Sequence, residues 1–182
     1  MPAPFRDRAD AGRQLAAMLR DFAHRGDLLV LGLPRGGVPV AHEVARTLGA
    51  PLDVFVVRKL GLPGHEELAM GAIASGGVRL VNDDVVSAFG VTEEEIARVA
   101  AREQRELERR ERLYRGDGRA PPVVAAKTVL LVDDGLATGA SMRAAVERSA
   151  RSTRGRSSSP FPSRPPRAAT CSAVRPTTSS AR

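Results

Sequence analysis

The chain has 182 residues with 28 basic and 21 acidic side chains, a net charge of +7 that would ordinarily point to nucleic acid or an anionic membrane. The distribution excludes that reading: residues 151–182 hold seven arginines and no acid, so residues 1–150 carry 21 basic and 21 acidic side chains. With no Trp and one Tyr there is no stacking platform for a single strand.

Phe5, Ala9, Gly12, Leu15, Ala16, Leu19 and Phe22 recur at helical spacing, so residues 3–23 are expected to form a helix packed on a sheet. Leu28 to Leu33 is an apolar strand that ends in Pro34-Arg35-Gly36-Gly37. The helix that follows, Val38 to Leu48, has Pro39 near its start and Gly49 just past its end, as helix boundaries prefer. Two glycines after an arginine let the backbone come close to a phosphate group while the guanidinium forks onto its oxygens. Such turns also occur in α/β proteins with no ligand there. Leu52 to Val57 reads as a second strand, directly followed by Arg58-Lys59. Lys59 is one of only two lysines in the chain, the other being Lys127. These two cations either join an anion site or carry a buried strand out to solvent.

Gly61 to Glu67, with Pro63 and Gly64, is a candidate flexible loop. Met70 to Ala74 and Val78 to Val81 flank a Ser75-Gly76-Gly77 turn and predict a hairpin. Thr92 with Glu95 has the spacing of a capping box, and the helix it opens is expected to run to about Arg115. Its apolar stripe is thin: Ile96, Ala100, Leu107 and Tyr114. Glu94/Arg98, Glu106/Arg110, Glu108/Arg112 and Glu111/Arg115 place Glu four residues before Arg, about 0.2–0.5 kcal/mol each, so a mostly solvated helix is expected.

Val129 to Val132 is a continuous apolar run, as in a central strand covered on both faces, and it ends in Asp133 and Asp134. Carboxylates at such an end can accept hydrogen bonds from a polyol or hold a hydrated divalent cation through water. The residues Ala137-Thr138-Gly139-Ala140-Ser141 are small enough for backbone N–H groups to close round an anion, and a following helix would add its positive end. The bland alternative is a strand–helix turn whose acids cap the helix.

His24, His42 and His65 are scattered, and His65-Glu66-Glu67 lacks a second histidine at zinc-hydrolase spacing. Cys171 is the only cysteine, and no apolar stretch approaches 18 residues. With no visible signal peptide, a cytoplasmic protein that binds neither membrane nor nucleic acid is expected.

The segment from Val129 to Ser141 closely resembles the signature of the type I phosphoribosyltransferases: four apolar residues, two acids, a short spacer, then Thr-Gly-small-Ser. The resemblance covers about residues 5 to 148. It implies an α/β fold with a doubly wound, mainly parallel sheet, apparently incomplete at the C-terminus, with a β-hairpin and a helical insertion over about residues 82–122. It also implies the ligand 5-phosphoribosyl-1-pyrophosphate (PRPP), with the 5′-phosphate in the Ala137, Thr138, Gly139, Ala140 and Ser141 loop and the ribose hydroxyls on Asp133 and Asp134. Pyrophosphate would fall to Arg35, Gly36 and Gly37, joined by Arg58 and Lys59. Mg²⁺ would be bound through substrate oxygens and water rather than by a protein cage.

The function so implied is transfer of the ribose 5-phosphate group to a nitrogenous acceptor, a nucleobase in the family, with release of pyrophosphate. A regulatory protein that binds PRPP without turnover, or a truncated inactive gene product, are the alternatives. In the family a mobile segment covers the reacting centre. Arg102, Arg105 or Tyr114 of the insertion are candidates for that role here, and a homodimer is left open.

Residues 1–150 are thus expected to form the phosphoribosyltransferase-like domain. Residues 151–182 form a basic tail of eight Ser, seven Arg, five Pro and four Thr with no apolar periodicity, expected to be disordered. A shifted reading frame would explain it: in G/C-rich codons, loss of two nucleotides turns Ser159 to Pro165 into Ala-Val-Pro-Val-Ala-Pro, a strand and its loop. The nucleotide sequence over codons 145 to 165 tests this.

Overall fold

A computed structural model of the protein describes residues 5–116, 119–120, 122–124 and 126–135, and the backbone alone of 168–172. The Ala137 to Ser141 loop lies outside the described residues.

The chain opens with α1 (Arg8–Met18), capped by the Asp7 side chain, which accepts from the Asp10 N–H, and continues into a 3-10 turn, Arg20–Phe22. The strand β1 (Leu28–Gly32) leads to α2 (Gly37–Leu48), which ends on Gly49 in the left-handed region. Next come β2 (Leu52–Val54), β3 (Val57–Leu62), β4 (His65–Ala74) and β5 (Val78–Val81). Two helices follow, α3 (Asp83–Phe89) and α4 (Glu93–Arg115). The strand β6 (Thr128–Asp133) and the backbone of β7 (Ala168–Ser172) complete the described elements.

Two sheets form. In the first, ordered β2-β1-β6-β7, every neighbouring pair is parallel, with Leu28 opposite Thr128 and Gly32 opposite Val132. The second, β3-β4-β5, is antiparallel. Alternation along the two central strands separates the core. Leu28, Val30, Leu130 and Val132 pack against α1 and α2, while Leu29, Leu31, Val129 and Leu131 meet Phe55 and Ala74 on the other face. The continuous apolar runs in β1 and β6 follow from this cover on both sides. A third cluster joins Ile96 and Leu107 of α4 to Leu60, Leu62, Met70 and Ile73 of the hairpin.

Four local expectations are changed in the structure. The apolar run Leu52 to Val57 is not one strand: it leaves the parallel sheet after Val54 and enters the antiparallel one at Val57. Phe55 and Val56 between them are buried, and Val56 is fixed by a Ser75 Oγ that accepts from its N–H at 2.8 Å. Gly61 to Glu67 is not a loose loop: it is the end of β3, a two-residue turn at Pro63-Gly64 and the start of β4. The helix α4 starts and ends where its capping box and ion pairs predict, with both capping-box bonds formed, but it packs on the hairpin along Ile96, Glu103 and Leu107 and is less solvated than its composition suggests. Five tail residues form β7 along β6, in a segment expected to lack structure.

Candidate functional site

The chain crosses from β1 to β2 on one side and returns to the other side of β1 at β6. At such a switch the loops leaving the two central strands diverge and open a crevice above their C-terminal ends. Those loops carry Arg35-Gly36-Gly37 and Asp133-Asp134. They are tied together at the base, where the Leu33 N–H donates to the Val132 carbonyl at 2.9 Å.

The contact between them is close enough to dictate residue type. A Cβ on Gly36 would stand 1.9 Å from Asp134 Oδ2, and one on Gly37 would stand 2.7 Å from the Val132 carbonyl oxygen and 2.9 Å from Asp133 Cα. Only glycine at both positions lets the loop lie against the two acids. The Pro34–Arg35 peptide is cis. Gly36 is the N-cap of α2 and no side chain caps that turn; the Gly37 N–H donates to the Leu33 carbonyl at 3.0 Å, the Val38 N–H to the Arg35 carbonyl at 3.4 Å, and Pro39 has no N–H to offer. Arg35 is exposed and pairs with no described residue.

The two acids differ. Asp133 closes β6, and its Oδ1 accepts from the Asp134 N–H at 2.8 Å. Burial pushes its carboxyl above the ordinary value of 3.8; that hydrogen bond opposes the rise and the neighbouring Asp134 charge adds to it. Asp134 is instead held by Arg8 of α1, whose Nε and Nη2 both donate to Oδ2, at 3.0 and 2.8 Å.

Opposite stability effects follow. For an acid whose folded value is raised, the protonated form is favoured by folding, so stability falls as pH rises through that value and the Asp133 carboxylate is a net cost near neutrality. Asp133→Asn is therefore expected to leave the melting temperature unchanged or raised at about pH 7 and to flatten its rise on acidification. Asp134→Asn should cost up to about 1 kcal/mol through the half-exposed Arg8 pair. Thermal unfolding of both variants between about pH 4 and pH 8 checks this; a lowered melting temperature for Asp133→Asn at neutral pH would contradict it.

Arg58 and Lys59 are not at the end of a parallel strand. They lie within β3, opposite Ile73 and Ala72. The Arg58 guanidinium is engaged by Glu103 of α4, with Nε at 2.9 Å from Oε2 and Nη2 in a closer contact with the same oxygen. Lys59 Nζ donates to the Glu67 carbonyl at 3.0 Å. Either side chain would have to leave its partner to meet an anion. Sequence reasoning missed Arg8, because nothing in the spacing of α1 indicates that its first residue reaches a strand end 126 positions away. Among the described residues no cluster of His, Cys, Asp and Glu could cage a metal, and no helix is long and apolar enough to cross a membrane.

Parallel strands meeting at a switch point, with paired acids on one loop and a glycine-lined turn on the other, define an α/β protein with a candidate ligand crevice above its central strands. The chain belongs to the phosphoribosyl transferase domain family, whose model matches residues 6–151. Its relatives include two Mycobacterium tuberculosis proteins, "Putative phosphoribosyl transferase MT0597" of strain CDC 1551 / Oshkosh and "Putative phosphoribosyl transferase Rv0571c" of strain H37Rv. Each is 51% identical over 144 residues, which is 79% of this chain and 32% of the relative. The chain thus spans about a third of the length of the curated relatives it matches. The crystal structure of TT1426 from Thermus thermophilus is similar in fold, with a TM-score of 0.62 and 34% identity over 98% of this chain and 88% of that one.

Proposed function

We propose that the chain transfers the ribose 5-phosphate group of PRPP to a nitrogenous acceptor, a nucleobase by family analogy, with release of pyrophosphate. The observation that supports the reading is the close seating of Gly36 and Gly37 against Asp133 and Asp134, a glycine turn beside a pair of carboxylates. Asp133 and Asp134 hold the ribose hydroxyls. Arg35, with the Gly36-Gly37 backbone, receives the pyrophosphate, and Ala137 to Ser141, with their small side chains, the 5′-phosphate.

Breaking the C1–pyrophosphate bond leaves positive charge on the sugar ring and negative charge on the departing group, as in glycoside cleavage. Carboxylates held near the ring, and the exposed Arg35 guanidinium near the leaving group, offset that separation of charge as it develops. The acids present hard oxygen donors without a three-ligand cage, which fits Mg²⁺ held through water and substrate oxygens. When bound, it neutralises charge on the pyrophosphate. Arg58 and Lys59 are reserve contacts that require release from Glu103 and Glu67.

The test is pyrophosphate release from PRPP and Mg²⁺ in the presence of a panel of purine, pyrimidine and other nitrogenous acceptors. Release with at least one acceptor, abolished by a chelator and lowered about 10²–10³-fold in Asp133→Asn, is the expected result. Saturable PRPP binding with no release for any acceptor would instead mark a regulatory protein.

A further inference from the structure

We propose that Arg8 is a positioning residue of the sugar site: it grips one oxygen of Asp134 and so aims the other at a ribose hydroxyl. The inference rests on the PRPP reading above and adds to it a residue from outside both strand-end loops. Arg8 Nε and Nη2 converge on the single oxygen Oδ2. Among the described residues no N–H donates to Oδ1, the Asp133 carboxyl group lies within hydrogen-bond reach of the Asp134 side chain, and that side chain keeps 24% of its exposure. On the Gly36 side there is no room for even a methyl group. The carboxyl group is thus boxed between a glycine backbone and a guanidinium, with one oxygen left to bind.

The arm that delivers Arg8 is rigid. The first turn of α1 is closed by Asp7, which accepts from the Asp10 N–H at 2.7 Å. Ala11, Leu15 and Ala16 are buried in the cluster shared with α2 and the central strands. At Gly12 the helices approach so closely that a Cβ would lie 2.7 Å from the Val40 carbonyl oxygen. A short acidic side chain held this way gives up little rotamer freedom when a hydroxyl docks, so more of the hydrogen bond appears as affinity.

Stability and binding separate this role from that of an ordinary surface ion pair. Arg8 retains 45% exposure, so Arg8→Met should cost no more stability than Asp134→Asn. Calorimetric titrations use two probes with Mg²⁺: PRPP, which carries the ribose, and inorganic pyrophosphate, which does not. Arg8→Met is expected to bind PRPP about tenfold more weakly and pyrophosphate as wild type does. Arg8→Lys recovers part of the loss, since an ammonium supplies one directed bond where the guanidinium supplies two. In an Asp134→Ala background, Arg8→Met should cost nothing further.

Unchanged PRPP affinity in Arg8→Met overturns the inference, as does equal weakening of both probes or a loss undiminished without Asp134. In each of those cases the wild type still binds PRPP and the function reading stands. A wild-type chain that binds neither probe removes the function reading and this inference together.

Discussion

Arg115→Met is expected to lower the unfolding free energy by about 3–5 kcal/mol. Arg115 ends α4, and its guanidinium is 2.8 Å from Asp53 Oδ1 and 3.1 Å from Glu111 Oε1, while Nη2 donates to the Val54 carbonyl at 3.2 Å. The Arg115 and Asp53 side chains are 6% and 4% exposed. Methionine preserves much of the volume but leaves the buried Asp53 carboxylate with the Val54 N–H, at 2.6 Å, and no ion-pair partner among the described residues, and that uncompensated charge dominates the cost. The bond to Val54 also fastens the end of the long helix to the strand where the chain leaves the parallel sheet. Urea unfolding measures the effect, and Asp53→Asn in the same chain should return part of the loss by removing the stranded charge. A loss below about 1 kcal/mol, the value of a solvated pair, would contradict the burial of this network.

The paired glycines yield the second large effect, and here fold and function separate. At Gly36 the backbone is ordinary, φ −72° and ψ −30°, so alanine brings no backbone strain. Its methyl group would nevertheless meet the Asp134 carboxyl group. A side chain can swing aside, so Gly36→Ala should cost less than about 1 kcal/mol in stability. It should also weaken PRPP binding about 10²-fold, because a site displaced by an ångström loses most of its alignment. At Gly37 the obstacle is main chain of the central strand, Val132 and Asp133, which cannot turn away. Gly37→Ala should therefore destabilise the domain by about 1–3 kcal/mol through overpacking and lose binding as well. Urea unfolding and calorimetry on the two variants check the contrast; full PRPP affinity in Gly36→Ala would mean that Asp134 is not needed where it stands.

Features decided within a few residues were legible in the sequence. The capping box at Thr92, the end of α2 at Gly49 and the β4–β5 turn all depend on local hydrogen bonding or on one permissive residue. The helix α3, capped by Asn82 and closed by Gly90, has similar signals, but seven residues with two adjacent valines offer no period to read. The Gly36-Gly37 motif was legible because close approach of its loop to the end of β6 restricts residue type at consecutive positions.

What the sequence hid is set by distant partners. Glu111 and Arg115 show the same four-residue spacing as Glu106 and Arg110, yet one pair is buried against Asp53 and the other remains partly in water. Spacing reports that two side chains can meet, not what surrounds them. Phe55 and Val56 look like strand interior because they are buried, but they are buried as the crossing between two sheets. Arg58 looks available because its partner Glu103 lies 45 residues away. The backbone of β7 takes its register from the edge of β6, which residues 168–172 alone do not reveal. The family match ends at residue 151, where the composition turns to Ser, Pro and Arg.

The most direct measurement is a calorimetric titration of the wild-type chain and the Asp133→Asn/Asp134→Asn variant with PRPP and Mg²⁺. Saturable binding by the wild type, weakened by about two orders of magnitude in the variant, which loses two charge-assisted acceptors, is the predicted result. Equal affinity in the two proteins would contradict the assignment of the ribose to these acids.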